Sequence, residues 1–185
     1  MTEKQFITAN DLLIDSYKLA KQVLDSGFKP NFLIALWRGG TPIGIAVQEF
    51  LDYHGIKTDH IAIRTSAYYG IDLINKEIKV HGLGYIFNNL KQEDHLLIVD
   101  DVYDTGLSMK AVLNELKKSL GDNFPDKIKV ATVYYKPKRN KTDNIPDYYV
   151  HEVDQWLVFP HELQGLTKEE ILKYKGEYFS DLLNN

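Results

Sequence analysis

A chain of 185 residues, 44% hydrophobic and 26% charged, is long enough for one domain with a real core and has an ordinary soluble composition. Its formal charge of -4 gives no general electrostatic reason to expect a nucleic-acid partner. The absence of cysteine excludes disulfides and thiolate metal sites and fits a cytoplasmic protein, and the polar start Met1-Thr2-Glu3-Lys4-Gln5 reads as neither signal peptide nor membrane span.

Residues 9–26 place Leu12, Leu13, Tyr17, Leu19, Ala20, Val23 and Leu24 at helical spacing, with Thr8 or Asn10 to cap the start and Gly27 to end it. Residues 31–36 read as a buried strand and Trp37-Arg38-Gly39-Gly40 as a turn. Thr41-Pro42 then opens a helix, with a capping hydroxyl and proline at its first position, that runs to Tyr53. A second strand covers 58–64. Residues 66–83, with a β-rich piece at 77–80, read as a flap or hairpin rather than a core element. Residues 96–99 form a buried strand, 108–120 a helix ending at Gly121, and 128–135 a strand stopped by Lys136-Pro137. The polar stretch 138–144 precedes a strand at 148–153 and an apolar segment at 156–159. Thr167 and Glu170 form a capping box ahead of a terminal helix. Strands alternating with helices predict an α/β fold with a parallel sheet flanked by helices. With no repeat, low-complexity segment or linker, residues 1–185 are expected to form a single domain.

The chemistry concentrates after the third of these strands. Leu96 to Val99 lead into Asp100-Asp101, and Asp104-Thr105-Gly106-Leu107-Ser108 leads from there into a helix. Carboxylates and helix N-terminal N–H groups therefore meet at the carboxyl end of a strand, where open α/β sheets bind ligands. The N–H groups favour phosphate, while the acids suit hydroxyls or a metal ion. A ligand carrying both a phosphate and a sugar diol satisfies both halves. Gly106 lets the backbone approach an anion closely, and Thr105 and Ser108 add hydroxyl donors. A carboxylate beside bound phosphate is costly, so Asp104 reads as a proton acceptor or donor for the reacting group.

This segment resembles the phosphoribosyl-diphosphate (PRPP) motif of the type I phosphoribosyltransferases. The resemblance implies that Asp100 and Asp101 hold the ribose hydroxyls and that residues 104–108, Leu107 included, wrap the 5′-phosphate. An Asp at the place of Asp104 is typical of 6-oxopurine enzymes, where it lies near N7 of the base. Arg38-Gly39-Gly40 is similar to the pyrophosphate loop of xanthine-guanine enzymes, which implies a strained, cis peptide near Arg38–Gly39. Ser66 and Tyr68, ahead of Glu77-Ile78-Lys79-Val80, look like the family's flexible loop, which closes over PRPP. Lys136 matches a strand-end lysine that donates to purine O6 and so disfavours adenine. Residues 156–162 resemble a C-terminal hood, in which Trp156 stacks on the base and the backbone of Leu157 meets its edge. Glu162 stands there near the base or the metal shell.

The implied fold is the type I phosphoribosyltransferase fold, a parallel sheet flanked by helices with a small C-terminal hood. Its core covers about 28–137, and its hood about 145–166 plus the terminal helix. The implied reaction is purine salvage: PRPP and hypoxanthine, guanine or xanthine give the nucleoside 5′-monophosphate and pyrophosphate. Mg²⁺ is the implied cofactor, held mainly by substrate oxygens and water, with Asp100, Asp101 and Glu162 in its shell. Family resemblance and exposed apolar helix faces favour a homodimer or homotetramer, without nucleic-acid or membrane partners. Two alternatives stay open: a PRPP- or nucleotide-sensing regulator on the same fold, and a transferase for another base. The six histidines show no metal spacing. Lys138, Arg139 and Lys141 read as a solvated loop or subunit contact.

Overall fold

The computed structural model describes residues 4–69 and 76–184, apart from the side chains of residues 66–69, 76–78, 180 and 184. In chain order the elements are β1 (Lys4–Phe6), α1 (Ala9–Asp25), β2 (Phe32–Trp37), α2 (Gly40–Tyr53), β3 (Asp59–Tyr69), β4 (Lys76–His81) and α3 (Gly84–Asn89). There follow β5 (His95–Tyr103), α4 (Leu107–Leu120), β6 (Lys127–Tyr135), β7 (Tyr148–Glu152), β8 (Trp156–Val158), α5 (Lys168–Lys175) and α6 (Glu177–Asn184). The chain divides into a larger unit, Leu13–Asp154, and a smaller one made of its two ends, up to Leu12 and from Gln155 on. Among the described residues, no helix is long and apolar enough to cross a membrane.

Six strands carry the larger unit in the order β4-β3-β2-β5-β6-β7, all parallel except β4, which returns antiparallel along β3. β2 and β5 are neighbours although β3, β4 and α3 lie between them in the chain, so the winding reverses there. A reversal of this kind opens a crevice at the carboxyl ends of the two strands. The central strands are apolar on both faces because helices cover both. Leu33, Ile34, Ala35, Leu36, Leu96, Leu97, Ile98 and Val99 are all buried. Ile34, Leu36, Leu96 and Ile98 share one core with Ile86 of α3 and with Met109, Val112 and Leu116 of α4. Ala35 faces the opposite side, where α2 packs so closely that a methyl on Gly44 would lie 2.7 Å from the Ala35 Cβ.

In the smaller unit β1 pairs in parallel with β8. Phe6 stacks on Tyr174 of α5 with 3.7 Å between ring centroids, and Lys4 reaches Glu170 at 2.7 Å. The helix ends follow the sequence at two places and depart from it at a third. Thr8 Oγ1 accepts the Asp11 N–H at 3.1 Å, and Thr167 and Glu170 make the full capping box of α5. Thr41 caps nothing. Helix α2 starts at Gly40 behind an N-cap at Gly39, so the threonine already lies inside the first turn, and its buried hydroxyl has no partner.

β1 and α3 are not predicted by periodicity. Three residues carry no period, and the six of α3 include a glycine and two asparagines, poor helix formers held by the burial of Ile86. The flap at 66–83 is built on the hairpin of β3 and β4, with β3 running past residue 64 to Tyr69. Ser66 and Tyr68, expected in the flexible loop, stand in β3 opposite Lys79 and Glu77; their side chains and residues 70–75 lie outside the described part.

Candidate active site

β5 delivers its acids to the crevice beside β2. Burial, reinforced by the neighbouring charge of Asp101, pushes the Asp100 carboxyl well above its ordinary value, even though Asp100 Oδ1 accepts the Asp101 N–H at 3.0 Å. Asp101 Oδ1 in turn accepts the Val102 N–H at 2.7 Å. The loop after β2 closes directly on this pair. A Cβ on Gly39 would stand 1.6 Å from Asp101 Oδ2 and would displace that carboxylate, while a Cβ on Gly40 would stand 2.6 Å from the Val99 carbonyl oxygen, backbone that cannot give way. The cis peptide in this loop joins Trp37 to Arg38, one bond earlier than the resemblance implies. Arg38 itself is exposed. Among the described residues no three His, Cys, Asp or Glu side chains converge as a metal cage. Asp100 and Asp101 supply two oxygen-bearing groups, and a hard cation beside them would complete its shell from ligand oxygens and water.

The turn from β5 into α4 has a shape and donor set that suit an anion. Gly106 adopts φ 73°, where a side chain is strained, and a Cβ there would meet Thr142 Oγ1 at 2.6 Å and Tyr103 Oη at 2.8 Å. The N-cap of α4, Gly106, has no side chain to cap the helix; the Leu107 N–H donates to Thr105 Oγ1 at 3.4 Å, and the first-turn N–H groups behind it, next to the hydroxyl of Ser108, suit an anionic ligand. Asp100, Asp104, Thr105, Gly106 and Ser108 line a hollow of ≈ 70 Å³. Leu107 is at the first helical position with its side chain exposed.

Asp104 sits between two cations. Lys136 Nζ is 3.8 Å from its Oδ2 and Arg139 Nε is 2.7 Å from its Oδ1. Lys136 is only 4% exposed, and its backbone N–H donates to Tyr103 O at 2.9 Å, holding the end of β6 against β5. Burial pulls its ammonium below the ordinary lysine value; Asp104 opposes that shift and Arg139 adds to it. The sequence reading brings Gly39, Asp100, Asp101, Asp104, Thr105, Gly106, Ser108 and Lys136 to this one strand-end cluster. It misses Arg139. The signal available was Pro137, which turns the chain sharply after β6 into a 3-10 turn, Pro137–Arg139, and brings the basic residue back toward the strand end.

Trp156, Leu157 and Glu162 belong to the smaller unit. Trp156 is 55% exposed, with its indole available for a partner, whereas Leu157 is buried. Glu162 Oε2 accepts the Phe159 N–H at 3.0 Å and closes a turn, and Lys175 Nζ donates to the carbonyls of Phe159 and Pro160 at 3.1 and 2.9 Å.

A parallel sheet with a winding reversal, an acid pair, a glycine loop and an uncapped helix start at one strand end is the layout of α/β proteins that bind phosphorylated ligands. Residues 4–164 match the phosphoribosyl transferase domain family, and the chain belongs to that family. It is 32% identical over 163 residues to the xanthine-guanine phosphoribosyltransferase of Desulfotalea psychrophila, with 86% of both chains covered. It is 23% identical over 175 residues to the hypoxanthine-guanine phosphoribosyltransferase of Streptococcus agalactiae, covering 94% of this chain and 92% of that one. The crystal structure of a purine phosphoribosyltransferase from Pyrococcus horikoshii superposes with a TM-score of 0.68 at 28% identity, over 89% of this chain and 97% of that one. The fold is that of the type I phosphoribosyltransferases.

Proposed function

We propose that the protein transfers the phosphoribosyl group of PRPP to a 6-oxopurine base, giving the nucleoside 5′-monophosphate and pyrophosphate. The observation that carries this reading is the Asp104–Lys136 pair, 3.8 Å apart beside the anion-binding turn. A 6-oxopurine offers an acceptor at O6 and a titratable nitrogen at N7, and the two side chains match that edge. Adenine would set an amino donor against the ammonium. The names of the Desulfotalea, Streptococcus and Pyrococcus relatives agree with a purine substrate.

In this reading the turn 104–108 holds the 5′-phosphate and the Asp100 and Asp101 carboxylates accept the ribose hydroxyls. Pyrophosphate lies toward Arg38 and the backbone of Gly39. The bond from C1′ to N9 forms as the bond to pyrophosphate breaks, through a sugar with cationic character that nearby anionic oxygens stabilise. Asp104 takes or returns the proton at N7, and Lys136 donates to O6. Asp100 and Asp101 suit Mg²⁺, which when bound supplies positive charge to the pyrophosphate oxygens. Ser66 and Tyr68 belong to the loop that covers PRPP. A cytoplasmic homodimer or homotetramer completes the proposal.

The test is pyrophosphate release from PRPP and Mg²⁺ with a panel of bases. Turnover is expected with hypoxanthine, guanine or xanthine and none with adenine. Turnover with adenine alone would overturn the base assignment, and PRPP binding without turnover of any base would favour a sensing protein.

A further inference from the structure

Arg139 does more than balance charge at the surface. Its Nε stands 2.7 Å from Asp104 Oδ1, and that oxygen is sealed from solvent with no directed hydrogen bond. The Asp104 side chain as a whole keeps 33% of its exposure, so what remains open belongs to its other atoms and not to Oδ1. Two cations thus divide one carboxylate between them, one covering it closely and one standing off at 3.8 Å. Resting on the transferase reading above, we infer that Arg139 is a positioning residue, which caps Asp104 Oδ1 so that Oδ2 faces the base and Lys136 is not captured by the carboxylate.

The loop that carries Arg139 is built to hold it there. An exposed ion pair on a free loop gains little, because ordering two long side chains offsets the attraction. Here the ordering is already done. Asn140 Oδ1 accepts from the Thr142 N–H and hydroxyl at 3.0 and 2.9 Å, and its Nδ2 donates to Asn144 O at 2.8 Å. The Lys141 N–H donates to Thr105 O at 3.0 Å, which fastens the loop to the phosphate turn itself. Tyr103 Oη lies 3.2 Å from Thr142 Oγ1 and donates to Asn144 O at 3.1 Å. Arg139 therefore stands on a segment tied to the same turn that bears Asp104. Removing its guanidinium leaves Lys136 as the sole cation beside Asp104 among the described residues, drawing both groups away from the base.

The experiment is a double-mutant cycle of Arg139→Met and Asp104→Asn, with Arg139→Lys as the conservative variant. Dissociation constants for guanosine and inosine 5′-monophosphate are measured by calorimetry, alongside that for PRPP. Methionine keeps the aliphatic stem, and a melting curve for each protein reports any loss of folding. With wild-type Asp104, Arg139→Met should weaken nucleotide binding about 5- to 10-fold, Arg139→Lys by less, and PRPP binding hardly at all. In the Asp104→Asn background the same change should have less than about a twofold effect. Equal losses in both backgrounds, an equal loss for PRPP, or no loss would each overturn the inference. If the wild type turns over no 6-oxopurine, the functional reading fails instead, while the cycle still measures whether Arg139 acts through Asp104.

Discussion

Asp100 and Lys136 are both held in protonation environments that folding disfavours, and the sign of each shift has a measurable consequence. The folded Asp100 value lies above 3.8, so between the two values the native state binds more protons than the unfolded chain. Stability falls as pH rises through that window, and the penalty is complete above the folded value. Replacing Asp100 by Asn should therefore raise the melting temperature of the ligand-free protein at pH 7, by about 2–4 °C for each kcal/mol relieved. The gain should shrink as pH falls toward 3.8, and PRPP affinity should drop at the same time. Calorimetry across pH checks the first outcome and PRPP titration the second. An unchanged melting temperature at neutral pH would remove burial as the cause. Lys136 shifts the opposite way: its folded value is below 10.5, so the native state binds fewer protons in that interval and stability rises with pH there. Its ammonium charge is lost below 10.5, so base affinity should weaken on the alkaline side earlier than a free lysine would give. The KM for the base, followed against pH, reads this directly.

Among the elements, the loop between β6 and β7 was least visible in advance, yet it brings Arg139 to Asp104. Its polar residues read as solvated, yet Asn140, Thr142 and Asn144 bond to one another and to Tyr103 at the end of β5. Tyr103→Phe removes the hydroxyl from that network and should cost about 1 kcal/mol in urea unfolding. A larger fall in kcat/KM than the stability loss explains is also expected, because the loop that carries Arg139 loosens. The strands were legible for a physical reason: β2, β5 and β6 are buried on both faces, so their apolar runs are continuous. The hairpin arms β3 and β4 extend past the central sheet, and α3 is six residues long. Among the described side chains of β3 and β4, at 59–65 and 79–81, only Ile63 is buried, too little to impose a pattern from which their limits could be read. Thr41 misled for a different reason. A hydroxyl before proline looks like a cap, but the tight seat of Gly40 against Val99 and Asp100 starts the helix earlier.

At the scale of the whole molecule, the reversal of winding between β2 and β5 is what makes a site out of separate segments. It sets the loop at Gly39 against the acids at Asp100 and Asp101. A ligand that bridges the acids and the phosphate turn binds only the native arrangement, so it should stabilise the larger unit as a body. PRPP with Mg²⁺ at about 100 times its dissociation constant should add about 2.7 kcal/mol to unfolding. A thermal-shift series should show this, and Asp101→Asn should abolish it; no shift for the wild type would count against PRPP as the ligand. The sequence by itself determined the α/β class, the acid pair and the glycine-bearing turn at a strand end, and membership of the phosphoribosyl transferase family, because periodicity and strand-to-helix motifs are local properties of the chain. Only the tertiary structure decided that Gly39 and Gly40 seat against Asp101 and the backbone of Val99 and Asp100, and that Arg139 caps one oxygen of Asp104. Those contacts join residues far apart in the chain, and their reach depends on strand order, register and loop anchoring, which no local pattern records.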